Sequence, residues 1–122
     1  TENHFGHSVP IDNVVALADA VGHSNFGVIL DWGNVPDATT ESVIAATRRL
    51  SPWLHQVSAK GTAFDEAHRL LGSDAAPITR ATEATGFRGL YSIELFGQTP
   101  PSFDPVRAIG TMRTAISSIL TR

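Results

Sequence analysis

Four polar or acidic positions recur along the chain at nearly even spacing, each closing a short apolar segment. Glu2, Asp31, Ser58 and Glu94 lie 29, 27 and 36 residues apart. Between them run segments of helical periodicity. Ile11, Val14, Val15, Ala18 and Val21 recur at i, i+3, i+4 and i+7, with Ser8 as a polar cap candidate and Pro10 in the first turn before them, and Gly22 after. Phe26 to Asp31 reads as a strand buried on both faces. Thr39 or Thr40 can cap a helix through Val43, Ile44, Thr47 and Leu50, which Ser51-Pro52 stops. Trp53 to Lys60 is the next strand, and Ser73-Asp74 opens a helix over Ala75 to Thr85 that Gly86 ends. Phe87 to Glu94 is a further strand. Asp104-Pro105 opens the last helix, with a stripe of Val106, Ile109, Ile116 and Leu120 that Arg113 interrupts. Gly97 to Pro101 reads as a stiff, polar strand-to-helix connection. A spacing near 30 residues is the size of a βα unit, so the pattern predicts an α/β fold of about four βα units with parallel strands.

At 122 residues the chain has room for one domain. With 42% apolar and 17% charged residues it is globular in composition. A net charge of −3 and the absence of any Lys/Arg cluster beyond Arg48-Arg49 argue against nucleic-acid binding. The absence of cysteine excludes disulfides, thiolate catalysis and Cys-based zinc sites. No apolar run approaches membrane-spanning length and no signal-peptide pattern opens the chain, so a cytoplasmic protein is expected. Phosphate-binding glycine loops and the nucleophile elbow of serine hydrolases are also missing.

In parallel α/β folds the carboxyl ends of the strands line the ligand site. Glu2, Asp31 and Glu94 are acids at three such ends. A single acid there is often no more than a helix cap; three in register suggest a common cleft. Three converging carboxylates repel one another, and a divalent cation relieves that repulsion. An all-oxygen set suits Mg²⁺ or Mn²⁺, with Co²⁺ or Zn²⁺ as alternatives. Such a cation polarises a substrate carbonyl, and a flanking carboxylate removes the proton on the adjacent carbon. Two carboxylates facing an enediolate can isomerise or epimerise a sugar.

The motifs Glu2-Asn3-His4-Phe5-Gly6, Asp31-Trp32-Gly33-Asn34, Val57-Ser58-Ala59-Lys60 with Phe64-Asp65, and Tyr91-Ser92-Ile93-Glu94 resemble the xylose isomerase-like TIM-barrel proteins. These are sugar phosphate isomerase/epimerase-like proteins, related in fold to endonuclease IV. The likeness covers nearly the whole chain but only the C-terminal half of a (β/α)8 barrel, strands five to eight; a full barrel takes about 250 residues. It implies that Glu2 and Glu94 ligate metal and transfer protons, and that Asp31 ligates the metal. It also places Lys60, His4 and Asn34 at a sugar or sugar-phosphate substrate. Ser58 stands where many members carry a metal-binding histidine, so water would complete the shell or metal affinity would fall.

Blander readings stand beside these. His4 reads equally as a loop residue, and His7, His23 and His68 read as surface residues. His55 reads as a packing residue away from the active face. Trp32 suits a core position as well as an apolar wall for a sugar ring, and Asp65 is a loop acid before it is a ligand.

Four βα units leave open sheet edges and an uncovered face, which favour association. The expected partner is therefore a second copy, forming a homodimer, or a missing N-terminal half-barrel. Thr1 standing just before Glu2 suggests a piece of a longer enzyme, and the isolated 122 residues are expected not to turn over a ketose. Two functions follow: a metal-dependent sugar isomerase or epimerase, or a catalytically silent half-barrel acting as an assembly or binding module. An endonuclease IV-type nuclease is the weaker enzyme reading, because it needs more histidines and a basic surface.

Overall fold

A computed structural model describes residues 1–97 and 101–120. The elements are α1 (Ile11–Val21), β1 (Val28–Asp31), α2 (Thr40–Leu50), β2 (Leu54–Gly61), α3 (Ala75–Ala84), β3 (Leu90–Leu95) and α4 (Pro105–Ser117). The three strands form one parallel sheet in the order β1-β2-β3. This is an α/β fold, and its sequential parallel order is compatible with half of a barrel. The connection read at 97–101 falls partly outside the described residues, at Gln98, Thr99 and Pro100. No described helix is long and apolar enough to cross a membrane.

Local chemistry sets most of the boundaries. Gly22 ends α1 in the left-handed conformation at φ 54°, and its N–H donates to the Ala18 carbonyl. The Thr39 hydroxyl caps α2 by accepting from the Ser42 N–H. The Asp104 carboxylate caps α4 through the N–H groups of Val106 and Arg107, with Pro105 in the first turn, where its missing donor costs nothing. One boundary differs from expectation. Pro10, not Ser8, sits at the α1 N-cap, because the Ser8 hydroxyl is engaged with the His4 N–H and the Phe5 carbonyl in a preceding 3-10 turn.

The strand expected to end at Glu2 is reduced to a single parallel bridge with Ile29. The Thr1 carbonyl accepts from the Ile29 N–H at 2.7 Å, and the Thr1 ammonium donates to the Gly27 carbonyl. The Asn3 side chain then continues the ladder where the backbone leaves it. Its Nδ2 donates to the Asp31 carbonyl at 2.9 Å, and its Oδ1 accepts from the Asp31 N–H at 2.7 Å. A buried amide thus satisfies both backbone groups of Asp31. β3 is also shorter than expected, beginning at Leu90 rather than Phe87.

Alternate strand residues enter the core with the helices. Leu30, Val57, Ala59 and Ile93 pack with Val14, Val43, Leu50, Ile78 and Met112. Fully burying each large aliphatic side chain contributes roughly 1.5–3 kcal/mol. The core face of α4 follows the expected stripe only toward its C-terminal end, where Ile116 is buried and Leu120 packs against the core. Ala108, Met112 and Ile116 are buried at i, i+4 and i+8, whereas Val106 is 77% exposed and Ile109 lies outside. In its first turns the buried stripe runs through a small residue and a flexible one, so a reading weighted toward β-branched residues misplaces it at Val106 and Ile109.

This face assignment predicts that Met112→Ala lowers unfolding free energy by about 3 kcal/mol in urea titration. Val106→Ala should stay within about 0.5 kcal/mol of wild type. Equal losses would reverse the assignment.

Candidate active site

Pleating sends Ser58 and Lys60 of β2 to the face opposite Val57 and Ala59, and register decides what they meet there. Asp31 pairs with Ser58 on one side, while Ser58 pairs with Ser92 and Lys60 with Glu94 on the other. The strand ends therefore bring Asp31, Lys60 and Glu94 together. Lys60 Nζ lies 3.3 Å from Asp31 Oδ2 and 3.1 Å from Glu94 Oε1, with a longer 3.5 Å contact to Asn34 Oδ1. An ammonium has three protons, and this one has three acceptors from its own chain.

Each partner is held from behind. Asp31 ends β1 and caps the 3-10 turn Trp32–Asn34, its Oδ1 accepting from the N–H groups of Gly33 (2.9 Å) and Asn34 (3.2 Å). The Ser58 hydroxyl donates to Glu94 Oε2 at 3.3 Å. The Lys60 stem passes beside Gly33, where a β-carbon would come within 3.0 Å of Lys60 Cγ and Cδ. The Phe96 ring lies 5.1 Å from the ammonium.

Burial makes the three groups unequal. Asp31 is fully buried and Lys60 is 6% exposed, but Glu94 is 45% exposed. Burial pushes the Asp31 carboxyl up from 3.8 to about 6 against the pull of Lys60, and the nearby Glu94 charge adds to the rise. For Lys60, burial pulls the ammonium down, but contacts with Glu94 and Asp31 outweigh it and hold the group above its ordinary value. Both oxygens of Asp31 are engaged within the chain, which leaves Glu94 as the acid that faces solvent.

The other expected residues are placed as follows. Asn34 adjoins the ammonium, and its Nδ2 is buried with no acceptor among the described residues, as is Trp32 Nε1. Both are buried donors in the turn that follows Asp31. Glu2 pairs with Ile29, two residues before Asp31 on β1. His4 rests edge-on against Phe5, and its backbone N–H reaches Ser8. Asp65 behaves as a loop acid: it accepts from the Arg69 backbone and guanidinium, and these bonds, the backbone one foremost, hold its carboxyl below the ordinary value. His55 is the extra residue where the β1–β2 register shifts, and it is exposed. Trp32 belongs to the core. His68, read as a surface residue, is instead buried and stacked on Phe103 in a left-handed conformation at φ 61°. Loop chemistry around Asp65 turns it inward.

A divalent ion between Asp31 and Glu94 does not fit this arrangement. The Lys60 ammonium already lies between them, the second Asp31 oxygen caps a turn, and Ser58 supplies a hydroxyl that donates to Glu94. Among the described residues, no group of three or more His, Asp or Glu could hold a metal ion. Phe96, Gly33 and Asn3 also support the centre, through the ring beside the ammonium, the slot beside the lysine stem and the clip on the Asp31 backbone. None of the three carries a charge, so sequence offers little signal for their roles, although Asn3 follows Glu2 and Gly33 follows Asp31-Trp32.

The raised Asp31 carboxyl has a definite sign in stability. Its folded value exceeds its unfolded one, so the folded state holds the extra proton and gains stability as pH falls from about 7 toward 4. The shift is worth about 3 kcal/mol. Urea titrations of wild type and Asp31→Asn should show wild type gaining by about that amount across the window. A pH-independent difference would remove the assignment.

No protein-family model and no curated protein sequence matches the chain.

Proposed function

We propose that Lys60 and Glu94 form the proton-transfer centre of a sugar isomerase or epimerase, acting on a polyhydroxy carbonyl compound or its phosphate. The observation that carries this reading is a half-exposed carboxylate and a buried ammonium 3.1 Å apart at the ends of adjacent parallel strands. Glu94 accepts the proton from the carbon next to the carbonyl. The bonding pair moves to the carbonyl oxygen, and the resulting enediolate carries the negative charge. Lys60 hydrogen-bonds that oxygen as its long contact to Asn34 gives way. For isomerisation the proton then goes from Glu94 to the adjacent carbon while the hydroxyl proton on that carbon passes to the enediolate oxygen, so that the carbonyl forms at its new position. Return to the first carbon from the same face regenerates the substrate, and epimerisation takes its proton from an acid on the opposite face; Lys60 is unchanged throughout. Asp31 meets no substrate in this scheme; it anchors Lys60. Glu2, as a second acid, would serve the opposite face. The resemblance to xylose isomerase-like barrels supports the same substrate class.

Complete isomerisation is expected to need more than these strands. Exchange of the carbon-bound proton with solvent needs only one base and one hydrogen-bonding cation. NMR of a panel of ketoses and ketose phosphates in D2O should show slow deuterium incorporation in the presence of the chain. Glu94→Gln should cut the rate by at least about 100-fold. The reading fails if no substrate exchanges, or if the Gln variant exchanges as fast as wild type.

A second reading, self-association through the open sheet face, is favoured by Leu90 and Phe96, which stand 72% and 64% exposed on and beside β3. We propose that a second copy covers this face. Light scattering should then give a mass above 13.0 kDa, and Leu90→Lys should return it to the monomer value. A wild-type monomer would end this reading without touching the first.

A further inference from the structure

We propose that Lys60 is a built-in counter-ion that takes the position of a divalent cation between Asp31 and Glu94, so that this centre works without a metal. The inference rests on reading the centre as one for proton transfer, but its physical basis is separate. Two carboxylates in one cleft need a cation, and the chain supplies one on a tether. The ammonium is 6% exposed, and three acceptors of its own chain meet its three protons. Its stem is confined: Gly33 leaves a slot with no room for a β-carbon beside Lys60, and the Phe96 ring lies near the ammonium. The remaining donors agree. Ser58 gives Glu94 a proton to accept rather than a lone pair to share with a metal, and Asp31 Oδ1 is spent on the Gly33 and Asn34 N–H groups.

A divalent ion entering this space would stand within a few ångströms of the ammonium, and like charges at that range in a partly buried site repel strongly. Removing the ammonium while keeping both acids should therefore create a cation site that the wild-type chain lacks. This distinguishes a tethered counter-ion from a lysine that only contacts substrate beside a metal.

The test uses Mn²⁺ alone and the electron paramagnetic resonance signal of the free ion. Titrating the wild-type chain should leave that signal unchanged. Lys60→Gln should bind Mn²⁺ at least about tenfold more tightly than wild type, and adding Glu94→Gln to it should abolish the binding. Lys60→Met, uncharged and of similar length, should behave as Lys60→Gln does, and it serves if Lys60→Gln does not give a folded circular dichroism spectrum. The proposal is overturned if wild type binds Mn²⁺ and loses it in Glu94→Gln. It is equally overturned if folded Lys60→Gln, or Lys60→Met in its place, binds no more tightly than wild type. Failure of the deuterium-exchange assay with this Mn²⁺ pattern intact would remove the sugar chemistry and leave the counter-ion in place.

Discussion

An ammonium held almost out of water must be matched by acids, and the arrangement around Lys60 follows from that requirement. Leaving such a charge unpaired would cost several kcal/mol, so removing both Asp31 and Glu94 while keeping Lys60 is disfavoured, and losing either one alone weakens the centre. They reach it only because β2 lies between β1 and β3 in one register. A slip of one residue would turn Lys60 toward the helices and Ala59 toward the acids. The apolar packing of Val57, Ala59 and Leu30 and the charge pairing on the opposite face thus enforce the same register from both sides of the sheet.

The two acids divide the work of holding Lys60. Asp31 is sunk beneath its turn, with each oxygen engaged, and serves as a fixed anchor. Glu94 sits at the rim, steadied by Ser58 but open to solvent. Glu94 is therefore the carboxylate that can reach a substrate, while Asp31 holds the ammonium in place from beneath. That inequality arises from burial, since the two side chains differ by only one methylene.

Much of this architecture is legible in the residues. Alternating periodicities mark the helices and strands, and Gly22, Thr39, Asp74 and Asp104 terminate them through local rules that need no tertiary context. Asp31 and Glu94 stand out because acids at strand ends are conspicuous. What escapes a linear reading depends on contacts between distant segments. Glu2 looks like a strand end, yet only one bridge forms there, because the ladder passes to an amide side chain. The inward face of α4 is chosen by what α3 and β3 leave room for, and Met112 fills it where Val106 was the more apolar-looking candidate. His68 is turned inward by its loop. Lys60 is recognisable as a charge, but its pairing with Glu94 exists only in the strand register.

The Asn3 clip ties the start of the chain to the charged centre. Its amide reads the backbone of Asp31 as a neighbouring strand would, although it belongs to a single side chain. Withdrawing it would strand a buried N–H and a buried C=O, each a penalty of about 1–3 kcal/mol, on the residue that anchors Lys60. The first three residues therefore act as a latch on the anchor. Any displacement of the Asn3 amide from β1 would loosen the grip on the ammonium without touching it, so backbone pairing and charge pairing at Asp31 yield together.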